Sequence, residues 1–310
     1  MGHGSYTSND WANLKRSRNI TDSSTVSQLY TSRQMKDAYN PAKINVRESR
    51  DSEDNPLSTA IIIGLDVTGS MGYLSEEIAK NSLNKTMTEI YEKQPVTNPH
   101  IMFNAIGDSK SDYAPLQATQ FEADIRIAEQ LLDVYFEGRG GGNGGESYSL
   151  TWYFASRHTD IDCFEKHKRK GFIFTIGDER CHEVLTKEEI EKVFNDNCER
   201  DYTSKELFDE ASEKYNIFHI VLKAGSCKYQ KSGENWKKLI PGHVVELEPS
   251  NLSYLAEIFV SVMQFTDGMN KKDIVSQWKD INVQTLIAEV LEELNINSED
   301  NNSKHKFFKF

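Results

Sequence analysis

The stretch Thr59-Ala60-Ile61-Ile62-Ile63-Gly64-Leu65-Asp66-Val67-Thr68-Gly69-Ser70-Met71-Gly72 decides how the rest of the chain is read. From Ala60 to Leu65 no side chain is polar, the pattern of a strand buried on both faces by crossover helices. The run stops at a carboxylate. Asp66, Thr68 and Ser70 then occupy alternate positions of a short loop, so their oxygens can point the same way while Gly69 permits the turn. Beyond it, Ser75 with Glu76 and Glu77 can open a helix, since acids sit well at the positive end of its dipole. Ile78, Leu83, Met87, Ile90 and Tyr91 supply the apolar stripe of that helix.

Working outward, the same alternation recurs. A second strand over Ile101–Ile106 ends in Gly107-Asp108, and a segment from Leu116 to Phe121 is close enough to return antiparallel. Asp124 to Tyr135 reads as a helix through Ile127, Ala128, Leu131 and Leu132. A Gly-rich loop, residues 138–145, precedes an aromatic helix from Ser147 to Ala155. A third buried strand, Phe172–Ile176, finishes in Gly177-Asp178. Two capping boxes, Thr186-x-x-Glu189 and Thr203-x-x-Glu206, start helices; Ile217–Leu222 and His243–Leu247 are further strands, and Leu252–Phe265 is the closing helix. The order predicts an α/β fold with a doubly wound, mostly parallel six-stranded sheet and helices on both faces.

Residues 59–268 form the domain so defined. Residues 1–58 are a polar extension without sustained helical or strand period, which lies on the domain or orders on a partner. Residues 269–310 hold one amphipathic helix, through Leu286, Ile287, Val290, Leu291 and Leu294, and a polar tail. Docking on its own domain, self-association and binding another protein all remain open for that helix.

Composition excludes several classes. The chain has 310 residues and 37% hydrophobic content, enough for one substantial core with appendages. No run approaches the ~20 apolar residues of a membrane span. The beginning lacks the basic and apolar regions of a secretion signal, and Tyr6 stands where a myristoylation motif wants Ser or Thr. Cys163, Cys181, Cys198 and Cys227 follow no disulfide-framework or zinc-ribbon spacing, as expected of reduced thiols in a cytoplasm. The net charge of −12 resides entirely in residues 59–268, with near-neutral ends. Nucleic acid is disfavoured as a partner, because phosphate neutralisation needs clustered Lys and Arg. A divalent cation or a basic partner surface is compatible with that charge, and so is an ordinary acidic surface.

In a doubly wound sheet, ligands bind beyond the carboxyl ends of the strands where strand order reverses. Asp66 and Asp178 both end strands and can meet there. Hard oxygens from Asp66, Thr68 and Ser70, with no thiolate or imidazole nearby, suit Mg²⁺ or Mn²⁺ better than zinc. The blander alternative is an N-capping Asp with incidental hydroxyls. Asp108 should lie on the same sheet edge, either orienting a metal-bound water or a hydroxyl or simply forming a turn before Ser109.

Asp66-x-Thr68-x-Ser70, followed by Met71-Gly72, resembles the metal-ion-dependent adhesion site of von Willebrand factor A (vWA) domains, whose first motif is Asp-x-Ser-x-Ser. Across residues 59–268 the resemblance implies a Thr from the loop before the third helix and an Asp at the end of the fourth strand. Asp178 fits the latter. At the former the chain departs from the pattern: Asn143 occupies the Thr position, with Glu146 and Ser147 close behind. Asn143 can offer a neutral carbonyl oxygen, whereas ligation by Glu146 would add negative charge and weaken attraction for an outside carboxylate. The resemblance is to intracellular microbial and kinase-linked members, of bacterial or bacteriophage source. It implies a cytoplasmic adaptor whose metal takes an Asp or Glu from a protein partner, and AAA-type ATPase complexes are expected among such partners.

Other motifs read less well. Gly140-x-Gly142-x-x-Gly145 matches a dinucleotide fingerprint but follows a helix instead of the first strand, and no P-loop occurs. Cys163, His167, Cys181 and His182 lack zinc-ligand spacing, and His182-Glu183 lacks the second His of a metalloprotease. Tyr148 to Phe154 reads as core packing in preference to a binding surface. Two other functions compete with the adaptor: a metal-dependent hydrolase drawing a base from Glu146, Glu179 or His182, and a structural subunit whose N-terminal arm wraps a neighbour.

Overall fold

The computed structural model describes residues 6–138, 144–225, 227 and 231–294. Six strands make the central sheet: β1 (Thr59–Asp66), β2 (Pro99–Ile106), β3 (Leu116–Ala118), β4 (Gly171–Gly177), β5 (Tyr215–Leu222) and β6 (Val244–Leu247). Their spatial order is β6-β5-β4-β1-β2-β3. All neighbours are parallel except β2 and β3, which are antiparallel. Every residue of β1 and β2 is buried, as expected of strands covered on both faces.

Alternation along β1 divides the core in two. Ile61, Ile63 and Leu65 face a layer formed by the helices Leu83–Lys93 and Leu255–Thr266. Ala60 and Ile62 face the helices Ser149–Arg157, Lys187–Phe194 and Ser204–Ser212. Gly64 allows a close approach on the second side, because a Cβ there would sit 2.8 Å from Ile106 Cδ1 and 3.0 Å from Thr175 Cγ2.

Several expectations shift in detail. The helix expected to open at Ser75 starts earlier. A 3₁₀ turn over Gly69–Met71 runs straight into Gly72–Glu77, a π turn over Ile78–Ser82 and the helix Leu83–Lys93. The missing helix signal before Ser75 is explained by Gly69 and Gly72, which propensity alone places outside a helix. β3 is shorter than the reading of Leu116 to Phe121, although a bridge between Ile101 and Glu122 continues the pairing. Both capping boxes form, with Thr186 and Thr203 accepting from Glu189 N and Glu206 N.

The polar N-terminal stretch contains a helix, Ser8–Ser17, that periodicity did not reveal; Thr7 caps it by accepting from Asp10 N. Trp11, Leu14, Ile20, Leu29 and Tyr30 join the same core as the Leu83–Lys93 helix. Residues 47–49 pair in parallel with 159–161, a small sheet also not anticipated. The C-terminal helix runs Ile281–Glu293, and Val283, Leu286, Ile287, Val290 and Leu291 are buried against the Leu255–Thr266 side of the domain. No described helix is long and apolar enough to cross a membrane.

Candidate functional site

β1 lies between β4 and β2, so the chain reverses direction across the sheet at β1 and leaves a crevice beyond its carboxyl end. Register fixes what stands there. Leu65 pairs with Ile176 and Asp66 with Ile106. Asp178 therefore follows one residue beyond the row of Asp66 on the adjacent strand, which runs ~4.8 Å away, and Asp108 follows two residues beyond on the other side. Asp66, Asp108 and Asp178 are all fully buried.

Asp66 folds its own loop. Its Oδ1 accepts from Thr68 N at 2.9 Å and from Thr68 Oγ1 at 2.6 Å, the local turn that Asp side chains favour. Oδ2 accepts from the Tyr148 hydroxyl at 2.8 Å. Burial, with a smaller contribution from Asp178, pushes the Asp66 carboxyl up to about 7 against the pull of these donors. Ser70 lies in the 3₁₀ turn that follows.

Tyr148, read from the sequence as core packing, also reaches the crevice. It does pack, edge-on to Trp236 and His219, but its hydroxyl is spent on Asp66. Gly177 makes this geometry available, since a Cβ there would lie 1.8 Å from the Tyr148 hydroxyl oxygen. The Gly-Asp ending of β4 was the signal: the glycine makes room for a neighbour's side chain beside the aspartate.

The Gly-rich loop is fastened on both sides of the crevice. Gly138 N donates to Val67 O at 3.2 Å, Glu146 N to Arg180 O at 2.9 Å, and His182 N to Glu146 O at 3.2 Å. Asn143 and residues 139–142, including Gly140 and Gly142 of the fingerprint-like pattern, lie outside the described residues. Glu146 is 1% exposed and its Oε2 has no hydrogen-bond partner. Burial and then the charges of Asp66, Asp108, Asp112 and Glu179 push it up to about 10. Glu179 is also buried with an unpaired Oε2.

Ser147 and Asp108 tie loops together. Ser147 Oγ donates to Asp108 Oδ1 at 3.1 Å, and His182 Nε2 lies 2.9 Å from the same oxygen. Lys110 N also reaches Asp108 Oδ1, and Ser111 Oγ reaches Oδ2, so Asp108 forms a turn and braces the loop carrying Glu146. His182 is thus committed to Asp108 and His167 to Asp51, away from the zinc grouping weighed above. Among the described residues no three His, Cys, Asp or Glu side chains form a ready-made metal cluster. The predicted donor set contains only two carboxylates and is completed by hydroxyls and an amide.

The residues present fit a hard divalent cation. Thr68 donates its proton to Asp66, which leaves both hydroxyl lone pairs free to face an ion. Asp66 and Asp178 end adjacent strands, with the charge of Asp178 felt at Asp66, and an orphaned carboxylate oxygen, Glu146 Oε2, is buried where the charge of Asp66 acts on it. Asp66 and Glu146 have no basic side chain as partner among the described residues. Uncompensated buried charge is normally avoided.

Neither a protein-family model nor a curated protein matches the chain. Similar solved structures include the pilus adhesin SpaC from Lactobacillus rhamnosus GG in an open conformation, at 9% identity and TM-score 0.47, covering 69% of this chain and 31% of SpaC. The vWF domain of the type V pili tip protein Mfa5 from Porphyromonas gingivalis matches at 9% identity and TM-score 0.44, covering 73% of this chain and 98% of that domain. Proximal thread matrix protein 1 from the mussel byssus matches at 10% identity and TM-score 0.39, covering 66% of this chain and 47% of that one. The match thus spans about a third of SpaC.

Proposed function

We propose that this chain is a divalent-cation-dependent protein-binding domain. Asp66, Thr68, Ser70 and Asp178, with a contribution from the Gly-rich loop at Asn143 or its neighbours, would hold Mg²⁺ or Mn²⁺. An Asp or Glu of a partner protein would take a remaining coordination position. Mg²⁺ keeps several waters and demands octahedral geometry, so one carboxylate can be exchanged for water with a small loop movement. The observation that carries this reading is the convergence of buried carboxylates at the switch point without a basic side chain on Asp66 or Glu146. The four cysteines are unpaired, which suits a reducing compartment and an adaptor working inside a cell, with an ATPase assembly as one fitting partner.

The test is Mn²⁺ binding followed by electron paramagnetic resonance at neutral pH, combined with capture of partners on the immobilised chain. Saturable Mn²⁺ binding lost in Asp66→Ala, and a partner released by EDTA, support the reading. A partner held equally well in EDTA and by Asp66→Ala overturns it.

A further inference from the structure

We propose that a cavity beside the crevice is a docking site for a carboxylate-rich segment of a partner protein. The cavity has a volume of about 560 Å³ and lies between the loop that follows β4, the start of the helix Ser204–Ser212 and the helix Ser232–Leu239. Arg180, Lys205 and Lys238, all exposed, line it against a single carboxylate, that of Glu183. Residues 59–268 carry the whole net charge of −12, so three cations around one opening run against their surroundings. None of the lining residues belongs to the proposed cation site, and the inference stands whether or not a cation binds there.

The walls are held in place without a ligand. Trp236 Nε1 donates to Glu179 O at 2.9 Å, Ser204 N donates to Glu183 O at 2.8 Å, and the backbone on both sides of Cys181 pairs with Glu146. A preformed cavity avoids the ordering cost that weakens binding. The cations are available to a guest. Arg180 Nε donates to Gly144 O, which sets the guanidinium in place without committing it to a carboxylate. Neither Arg180 nor Lys238 has an acidic partner among the described residues. Lys205 has Asp209, four residues on, an exposed pair of the kind that exchanges readily.

Charge, shape and donor type together select the occupant. Half-buried Leu239, with Cys181 and Trp236 behind it, gives the basic opening an apolar floor. That combination fits a segment that buries one aliphatic side chain and presents acids on either side of it. A guanidinium matches the two oxygens of a carboxylate. A phosphate group is held best by backbone N–H groups, and those at the start of the adjoining helix are spent, Ser204 N on Glu183 O and Glu206 N on Thr203 Oγ1. Nucleic acid needs an open aromatic face for its bases, whereas Trp236 is 1% exposed and stacked on His219.

The test is fluorescence polarisation on the full chain in EDTA, with a fluorescein-labelled peptide of glutamates around a central leucine as the probe. The wild-type chain should bind it about tenfold more tightly than the same peptide with glutamine in place of glutamate, and added salt should weaken it. Lys238→Glu, on an exposed helix face, should weaken binding about tenfold, and Arg180→Gln severalfold. Arg16→Glu makes the same charge change on a helix packed against the other face of the sheet, and it should leave the affinity within about twofold. Melting temperatures confirm that the variants fold. Equal weakening in Lys238→Glu and Arg16→Glu overturns the proposal, as the mark of general charge attraction. A wild-type chain that does not distinguish the two peptides overturns it as well. So does a loss confined to Arg180→Gln, which marks a structural role for that side chain. Inorganic triphosphate bound more tightly than the peptide, and lost in Lys238→Glu, overturns it in favour of a phosphate ligand.

Discussion

Raising the pH should weaken the cation-free protein, and Mg²⁺ should restore what is lost, on the alkaline side only. Asp66 is a carboxyl whose burial lifts it from 3.8 to about 7. The folded state therefore binds its proton more tightly than the unfolded chain does. Between those two values the native protein holds more protons, so stability falls as pH rises and levels off above about 7. At 1.36 kcal/mol per pH unit of difference, ionising Asp66 inside the fold costs about 4 kcal/mol in total, of which roughly 3 kcal/mol is lost between about pH 5 and pH 8. Glu146, lifted from 4.5 to about 10, adds in the same direction and extends the decline. In a chain of this size 1 kcal/mol moves the melting temperature by about 2–4 °C, so Asp66 alone lowers it by roughly 5–10 °C. Mg²⁺ at a hundredfold excess over its dissociation constant returns about 2.7 kcal/mol, and it must displace protons to bind. Its effect is therefore large near pH 8 and small near pH 5. Differential scanning fluorimetry in EDTA and in Mg²⁺ reads both arms, with Asp66→Asn reducing the pH slope to the part that Glu146 contributes. A melting temperature in EDTA that does not change over this range, or an Mg²⁺ shift equal at both pH values, refutes the reasoning.

Gly177→Ala should drive the Tyr148 hydroxyl off Asp66, because the new methyl would sit 1.8 Å from it. A loss of about 1–3 kcal/mol is expected from overpacking, read as a lower urea midpoint with an unchanged slope. Leu291→Ala, on a fully buried side chain of the C-terminal helix, should cost about 2–5 kcal/mol. A two-state urea transition that shifts as a whole would show that this helix unfolds with the sheet; a change below about 0.5 kcal/mol would show that it is dispensable.

The sheet was legible because strands buried on both faces leave continuous apolar runs, as Ala60 to Leu65 and Phe172 to Ile176 do. Their endings in Asp66, Gly107-Asp108 and Gly177-Asp178 place three carboxylates on one edge from the sequence alone. The 3₁₀ entry at Gly69–Met71 was hidden, since two glycines mask a helix that tertiary packing imposes. The N-terminal helix was hidden for a related reason: Trp11 and Leu14 are too few to show a period, yet they suffice once a neighbouring surface covers them. Tyr148 was read for its ring alone. Nothing in the spacing of an aromatic helix says where a phenol oxygen will land, and that required the register of β1 against β4. Asn143, a ligand implied by the resemblance, lies outside the described residues; Glu146 stands beside it in the sequence as an alternative, but that its Oε2 is buried without a hydrogen-bond partner is legible only in the packing.

The first residues bear on how the protein should be handled. Val26 N donates to Glu76 Oε1 at 3.0 Å, and the Tyr30 hydroxyl to Ser75 O at 3.2 Å, so the amino-terminal strap is stitched to the helix that springs from the Asp66 loop. A shortened product beginning near Thr59 would lose those stitches and bare a greasy trench where Trp11, Leu14 and Leu29 had rested. Such a fragment would be prone to clumping and would present a loosened loop, so ion titrations done on it would describe the truncation and not the protein.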